Sequence, residues 1–227
     1  MAPKGRMWRR GIAATLAVGT VAVLALGTST FATTSTGSST KAPNHSAVTT
    51  KHAFHDAMRR LWEDHVTWTR LFIVSFAADL PDLQATTDRL LQNQVDIGDA
   101  VKPFYGKAAG NQLTDLLTQH ILTAADLLAA AKAGDTTAFE QAKDDWYANA
   151  RQIAVFLHDA NPENWQLADL RSMMKTHLDL TLQEASDQLG GNYAASVADF
   201  DTVETEILGM ADTLSSGIIA QFPKKFA

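Results

Sequence analysis

Three histidines in this chain stand where helix-core residues belong. In Leu61-Trp62-Glu63-Asp64-His65-Val66-Thr67-Trp68-Thr69-Arg70-Leu71, helical spacing puts Leu61, His65, Trp68 and Phe72 on one face and Arg70 well away from it. The arrangement returns in Leu116-Leu117-Thr118-Gln119-His120-Ile121 and in Met173-Met174-Lys175-Thr176-His177-Leu178. Each stretch has two large apolar residues, two polar ones, a histidine and then an aliphatic. Near the C-terminus Glu206 lies close to the apolar side marked by Val203, Met210 and Leu214, and Glu204 is a weaker candidate. Asn93 and Asn149 also fall on inward positions. A buried polar group left unpaired costs about 1–3 kcal/mol. Imidazole, carboxamide and carboxylate groups in one layer must therefore satisfy one another, around water or around a metal. Three neutral imidazoles and a carboxylate suit zinc, iron, manganese or copper. Helix bundles build such sites from facing side chains. The candidate metal ligands are His65, His120, His177 and Glu206, with Asn93 and Asn149 as candidate cofactor-binding residues.

Against this stands a plainer account, in which each histidine is a core or groove residue hydrogen-bonded to a neighbour. The chain has no Glu-x-x-His or His-Glu-x-x-His pair, nucleophile motif, phosphate loop or dinucleotide fingerprint. Glu63 points away from His65, so Glu63-Asp64 reads as a solvated helix face. Asp96 and Asp99 read as exposed or capping. His158 closes a helix, where a cation complements the dipole. Trp62, Trp68, Phe72, Phe76, Trp146, Trp165, Met173, Met174 and Met210 read as packing. Three functions stay open: a binder of a metal ion or small polar ligand, a metal-dependent enzyme using the same histidines, and a structural or partner-binding bundle with no ligand. The balance of features leans away from an enzyme.

The elements that must position these groups all have the helical period. A first helix is expected from Phe54 to near Ala78, stopped by Asp79-Leu80-Pro81. Pro81 can open a second helix, which ends near Lys102-Pro103 because the residue before proline avoids helical angles. Phe104-Tyr105-Gly106 is a turn. A third helix spans Asn111 to Ala133, with Gly134 after it and Asp135 capping the fourth. The fourth stops at Asn161-Pro162, the fifth runs from Asn164 to Gly190-Gly191, and the sixth from Asn192 to about Gln221. The expected fold is all-α, an up-and-down antiparallel bundle of about six helices. A weak internal repeat relates Leu90–Ile97, before the His120 helix, to Trp146–Ile153, before the His177 helix. Asn93 and Asn149 align in it.

Residues 1–32 read as a signal peptide or membrane anchor. Lys4, Arg6, Arg9 and Arg10 precede an apolar run from Gly11 to Leu26, and Thr30-Phe31-Ala32 offers a cleavage site. Cleavage would take the net charge from −6 to −10. An uncleaved run, residues 11–32, would hold the chain to a membrane, its one expected membrane contact. Either way the protein is expected to be exported, extracellular or at the cell surface. Residues 33–52 are a Ser/Thr-rich linker, and 53–227 the helical bundle domain. His45, His52 and His55, in or just after the linker, read as solvated filler in preference to a loose metal site. The chain has no cysteine, which excludes disulfides and thiolate ligands, and no basic block beyond the N-terminus, so nucleic acid is not an expected partner.

The phrases Leu61–Arg70, Leu90–Gly98, Lys102-Pro103-Phe104-Tyr105-Gly106 and Ser215-Ser216-Gly217-Ile218 resemble an uncharacterised bacterial family of exported helical bundles, over about residues 54–226. Members often bear an automatic glycosyltransferase label. That activity needs a nucleotide-sugar site, usually on an α/β scaffold, and no segment here supplies one. The resemblance implies a ligating position near Glu204 or Glu206, where members often have histidine. It implies no catalytic residue.

Overall fold

The computed structural model describes residues 50–226, and every regular element among them is helical. The expected signal or anchor, most of the linker and His45 lie outside the described residues. Five helices follow in order: α1 (Lys51–Ala77), α2 (Leu83–Ala133), α3 (Thr136–Ala160), α4 (Leu167–Leu189) and α5 (Tyr193–Gln221), with a short 3₁₀ turn at Pro223–Lys225. Sequential helices pack on one another and α5 returns against α1, so the up-and-down bundle closes into a ring. No described helix is long and apolar enough to cross a membrane.

Local chemistry explains most of the boundaries. Thr50 caps α1 through its side-chain oxygen, which accepts from Ala53 N at 3.1 Å, and Asp135 caps α3 by accepting from Ala138 N at 3.0 Å. Gly134 ends α2 with φ of 65°, in the left-handed region where glycine carries no steric penalty. Because α1 begins at Lys51, His52 and His55 are helical. His55 is more than filler: its Nε2 lies 2.9 Å from Asp212 Oδ1 on α5, and Arg59 donates to the same carboxylate at 2.7 Å.

The second helix departs from expectation. Its helical bonding runs through Pro103 and is interrupted at Gly106, at φ 85° and ψ 168°, a conformation open essentially to glycine alone. There the chain doubles back, and the two arms of α2 touch backbone to backbone. A Cβ on Gly98 would lie 2.6 Å from Gly110 O and 2.0 Å from Thr114 Oγ1, and one on Gly110 would lie 2.6 Å from Gly98 O. Two glycines therefore set how closely the arms approach.

The apolar interior divides into two clusters. The larger includes Trp62, Val66, Leu117, Trp146, Ile153, Leu178 and Ile207; the smaller includes Phe72, Ile73, Leu90, Ile121 and Leu128. On α1 the change falls between Val66 and Phe72, just past His65. Gly98→Ala is expected to destabilise the fold by about 1–3 kcal/mol through overpacking at the arm contact. Gly209→Ala, whose Cβ meets nothing within 4 Å, is expected to gain up to about 1 kcal/mol of helix propensity. Urea unfolding of the two variants checks both signs.

Candidate functional site

His65 on α1, His120 on the second arm of α2 and His177 on α4 meet inside the bundle. They are 3%, 3% and 5% exposed. The His65 and His177 ring centroids are 5.9 Å apart, and those of His120 and His177 are 6.3 Å apart and nearly parallel. Trp62 lies beyond His65, with centroids 5.7 Å apart, and Trp146 beyond His120 at 5.4 Å. A row of five rings thus crosses the interior.

Each imidazole is held through Nδ1 by a residue of the next rod, and in each case the partner lies 29 positions further along the chain. Gln94 Nε2 approaches His65 Nδ1 at 3.3 Å, Asn149 Oδ1 approaches His120 Nδ1 at 3.0 Å, and Glu206 Oε2 approaches His177 Nδ1 at 3.2 Å. The tautomers follow from the partner atoms. An amide or carboxylate oxygen can only accept, so His120 and His177 donate from Nδ1–H, and His120, held neutral by burial, keeps a lone pair on Nε2. Gln94 Nε2 donates, so His65 accepts at Nδ1 and bears its proton on Nε2.

The expected site residues are thus brought together in different capacities. Glu206 stands behind His177, on its Nδ1 side. The Asn93 side chain also interacts with His65; its Nδ2 donates to Leu61 O at 2.9 Å and its Oδ1 accepts from Gln94 at 3.3 Å. Asn149 does both jobs, donating to Leu116 O at 3.1 Å while accepting from His120. Leu61 and Leu116 each sit four residues before a histidine, so the two asparagines brace matching points. Sequence reasoning passed over Gln94, which is wholly buried. The signal that finds it is the constant interval of 29 between histidine and partner.

Burial sets the charge of the layer. Loss of water, then the neighbouring His177 and His120, hold His65 well below its ordinary value. Burial, then His177, bring His120 from 6.5 down to about 3. Both rings are neutral near pH 7. Close by, Glu184 is 1% exposed and is paired with Arg70 Nη1 at 2.7 Å, an atom that also donates to Ser196 O at 3.0 Å. Burial pushes the Glu184 carboxyl up, while Arg70 opposes the shift. Three buried atoms of this region have no hydrogen-bond partner: Trp62 Nε1, Trp146 Nε1 and Gln94 Oε1. Among the described residues no group of three His, Asp or Glu side chains is already disposed to hold a metal ion.

A depressed imidazole links stability to pH. The unfolded chain takes up a proton near 6.5 and the folded His120 only near 3, so the contribution is whole above 6.5 and is lost as pH falls through that window. The expected loss for this residue is on the order of 4 kcal/mol by pH 3. His120→Gln should flatten the fall in urea midpoint between neutral and acid pH relative to the parent protein. No protein-family model matches the chain, and neither a curated protein nor a solved structure is detectably similar to it.

Proposed function

We propose that this protein is an exported helical bundle that binds one divalent transition-metal ion (zinc, iron, manganese or copper) at the layer of His65, His120 and His177. One observation carries the reading. Three rings from separate rods meet inside the bundle, each with Nδ1 engaged by a partner, and the His65 and His120 rings are held neutral by burial. Metal-bound histidines are oriented in this way, by an amide or carboxylate on the second nitrogen. Three Nε2 ligands on a tetrahedral ion at about 2.0–2.1 Å place ring centroids about 5.2 Å apart. The His65–His177 and His120–His177 separations of 5.9 and 6.3 Å exceed this by about an ångström, so binding requires the rings to turn inward.

His120 is in the ligating tautomer, with Asn149 behind it, and Glu206 stands behind His177. His65 must shed its Nε2 proton or move it to Nδ1. A half-turn of the Gln94 amide would supply the acceptor that second tautomer needs, at the loss of the bond its Nε2 gives to Leu90 O at 2.7 Å. Asn93 and Asn149 serve as braces of the layer.

Counting the two arms of α2 separately gives six rods in three hairpins, and this reading makes each hairpin a copy. Each offers a histidine on its first rod and a polar partner on its second, at the constant interval. Membership in the exported helical-bundle family and a location outside the cytoplasmic membrane belong to the same reading. A second reading rests on the two unpartnered indole N–H groups at the ends of the ring row. They favour a small polar ligand with acceptor atoms lying along the layer in place of an ion.

Incubation with each metal, removal of excess and elemental analysis test the proposal. One ion per chain is expected, with His120→Ala and His177→Ala lowering occupancy. Glu206→Gln, which keeps an acceptor but removes the charge, is expected to weaken affinity about 10–100-fold while leaving the fold intact. Absence of stoichiometric binding with every metal would overturn the metal reading and leave the polar-ligand reading and a structural bundle with no ligand.

A further inference from the structure

One helical turn beyond the histidine layer lies a small cavity of about 30 Å³. Its position is tied to the histidines residue by residue. Thr69, Ala124 and Thr181 line it, and each is four positions after one of the three histidines. Trp146, the ring next to His120, forms another part of the wall, with Ile121 and Leu128.

No polar atom faces this space. Even the threonines present none: Thr69 Oγ1 donates to His65 O at 2.7 Å and Thr181 Oγ1 to His177 O at 2.8 Å. Each hydroxyl is therefore spent on its own helix. The space is partly open and exceeds the roughly 10–15 Å³ needed for one water, but its apolar wall offers a water no hydrogen-bond partner. It is far smaller than the roughly 150 Å³ apolar cavity that admits benzene. A charged occupant is excluded by the cost of losing its hydration. What fits is an uncharged molecule of two or three heavy atoms.

A route to solvent adjoins it. A groove of about 830 Å³ opens among α2, α3 and α4, floored by Phe139 and Leu189 and edged by Lys143, Tyr147 and Lys175. Leu127, Leu128, Leu182 and Ala185 line both spaces, so one layer of aliphatic side chains separates the groove from the inner cavity. Aliphatic side chains change rotamer fast enough to pass a diatomic molecule without opening the bundle.

We propose that the cavity binds an uncharged diatomic molecule of the dioxygen class, admitted past Leu128 and Leu182 and held one turn from the histidine layer. Its use as a ligand of a bound ion rests on the metal reading, whereas its occupancy does not.

The test uses the full chain in its metal-free and metal-incubated forms. Paramagnetic relaxation by dissolved dioxygen is measured at the methyl groups of Leu128, Leu182 and Ile121 and at the Trp146 indole. The expected result is a relaxation enhancement several-fold above that of Ile97 and Ile207, buried methyl groups outside the cavity. Ala124→Leu, which fills the space, is expected to abolish the excess without changing metal occupancy. Leu182→Ala, which enlarges the cavity and thins its wall, is expected to raise it, and keeps the proposal testable if the filled variant fails to fold. Enhancement no greater than at Ile97 and Ile207, or an excess that survives Ala124→Leu, overturns the proposal. An excess in a protein that binds no metal upholds the cavity and removes the metal reading alone.

Discussion

An imidazole taken out of water must keep a partner, and the bundle is arranged around meeting that demand three times at one level. Apolar contact alone has no direction. Two amphipathic helices can slide by a turn of about 5.4 Å and still bury leucine against leucine. The histidine layer removes that freedom. A slip of one turn between the first two rods would separate Gln94 from His65 and Asn93 from Leu61 O together. In the second hairpin it would break both bonds of Asn149, and in the third the approach of Glu206 to His177. Each break leaves a desolvated polar atom behind, at about 1–3 kcal/mol apiece. The layer thus sets the depth at which every rod stands.

The parts of the fold legible in the sequence are those decided within a few residues. Asp135, Gly134 and Asn161-Pro162 mark helix ends by local chemistry, and the ends fall there. Pro103 misled for the same reason in reverse: it predicts a break locally, but the reversal three residues later at Gly106 is what the packing of Gly98 on Gly110 requires. The meeting of the histidines was readable from helical period alone. The inward position of both Asn93 and Gln94 was not, since adjacent residues point about 100° apart and one face cannot hold both. The first arm of α2 is covered on two sides, by α1 and by its own second arm, where Thr114 reaches Gln94 O. That coverage depends on tertiary packing and leaves no periodic trace. Arg70 was rightly placed off the α1 face, but the α4 carboxylate that receives it could not be named from spacing.

Polar and dry regions adjoin here without mixing because the threonines turn their hydroxyls back to the helix. At Thr69 and Thr181 the residue one turn past a histidine could have extended the polar layer. It donates to the histidine's own carbonyl and presents no polar atom to the cavity. The boundary between a hydrogen-bonded stratum and an apolar one is therefore about one turn thick. Ala124, at the matching point on α2, has no hydroxyl to conceal.

The three hairpins differ at one atom type, and that difference gives the layer a polarity. A carboxamide can turn to serve either imidazole tautomer, whereas a carboxylate only accepts. Glu206 therefore fixes a proton on Nδ1 of His177, the ring that neighbours both His65 and His120. Two carboxylates lie near His177. Glu184 is matched by Arg70, but Glu206 has only His177 as an ion-pair partner among the described residues, and its side chain is 14% exposed. The layer accordingly joins one carboxylate, open in part to solvent, to imidazoles buried away from it.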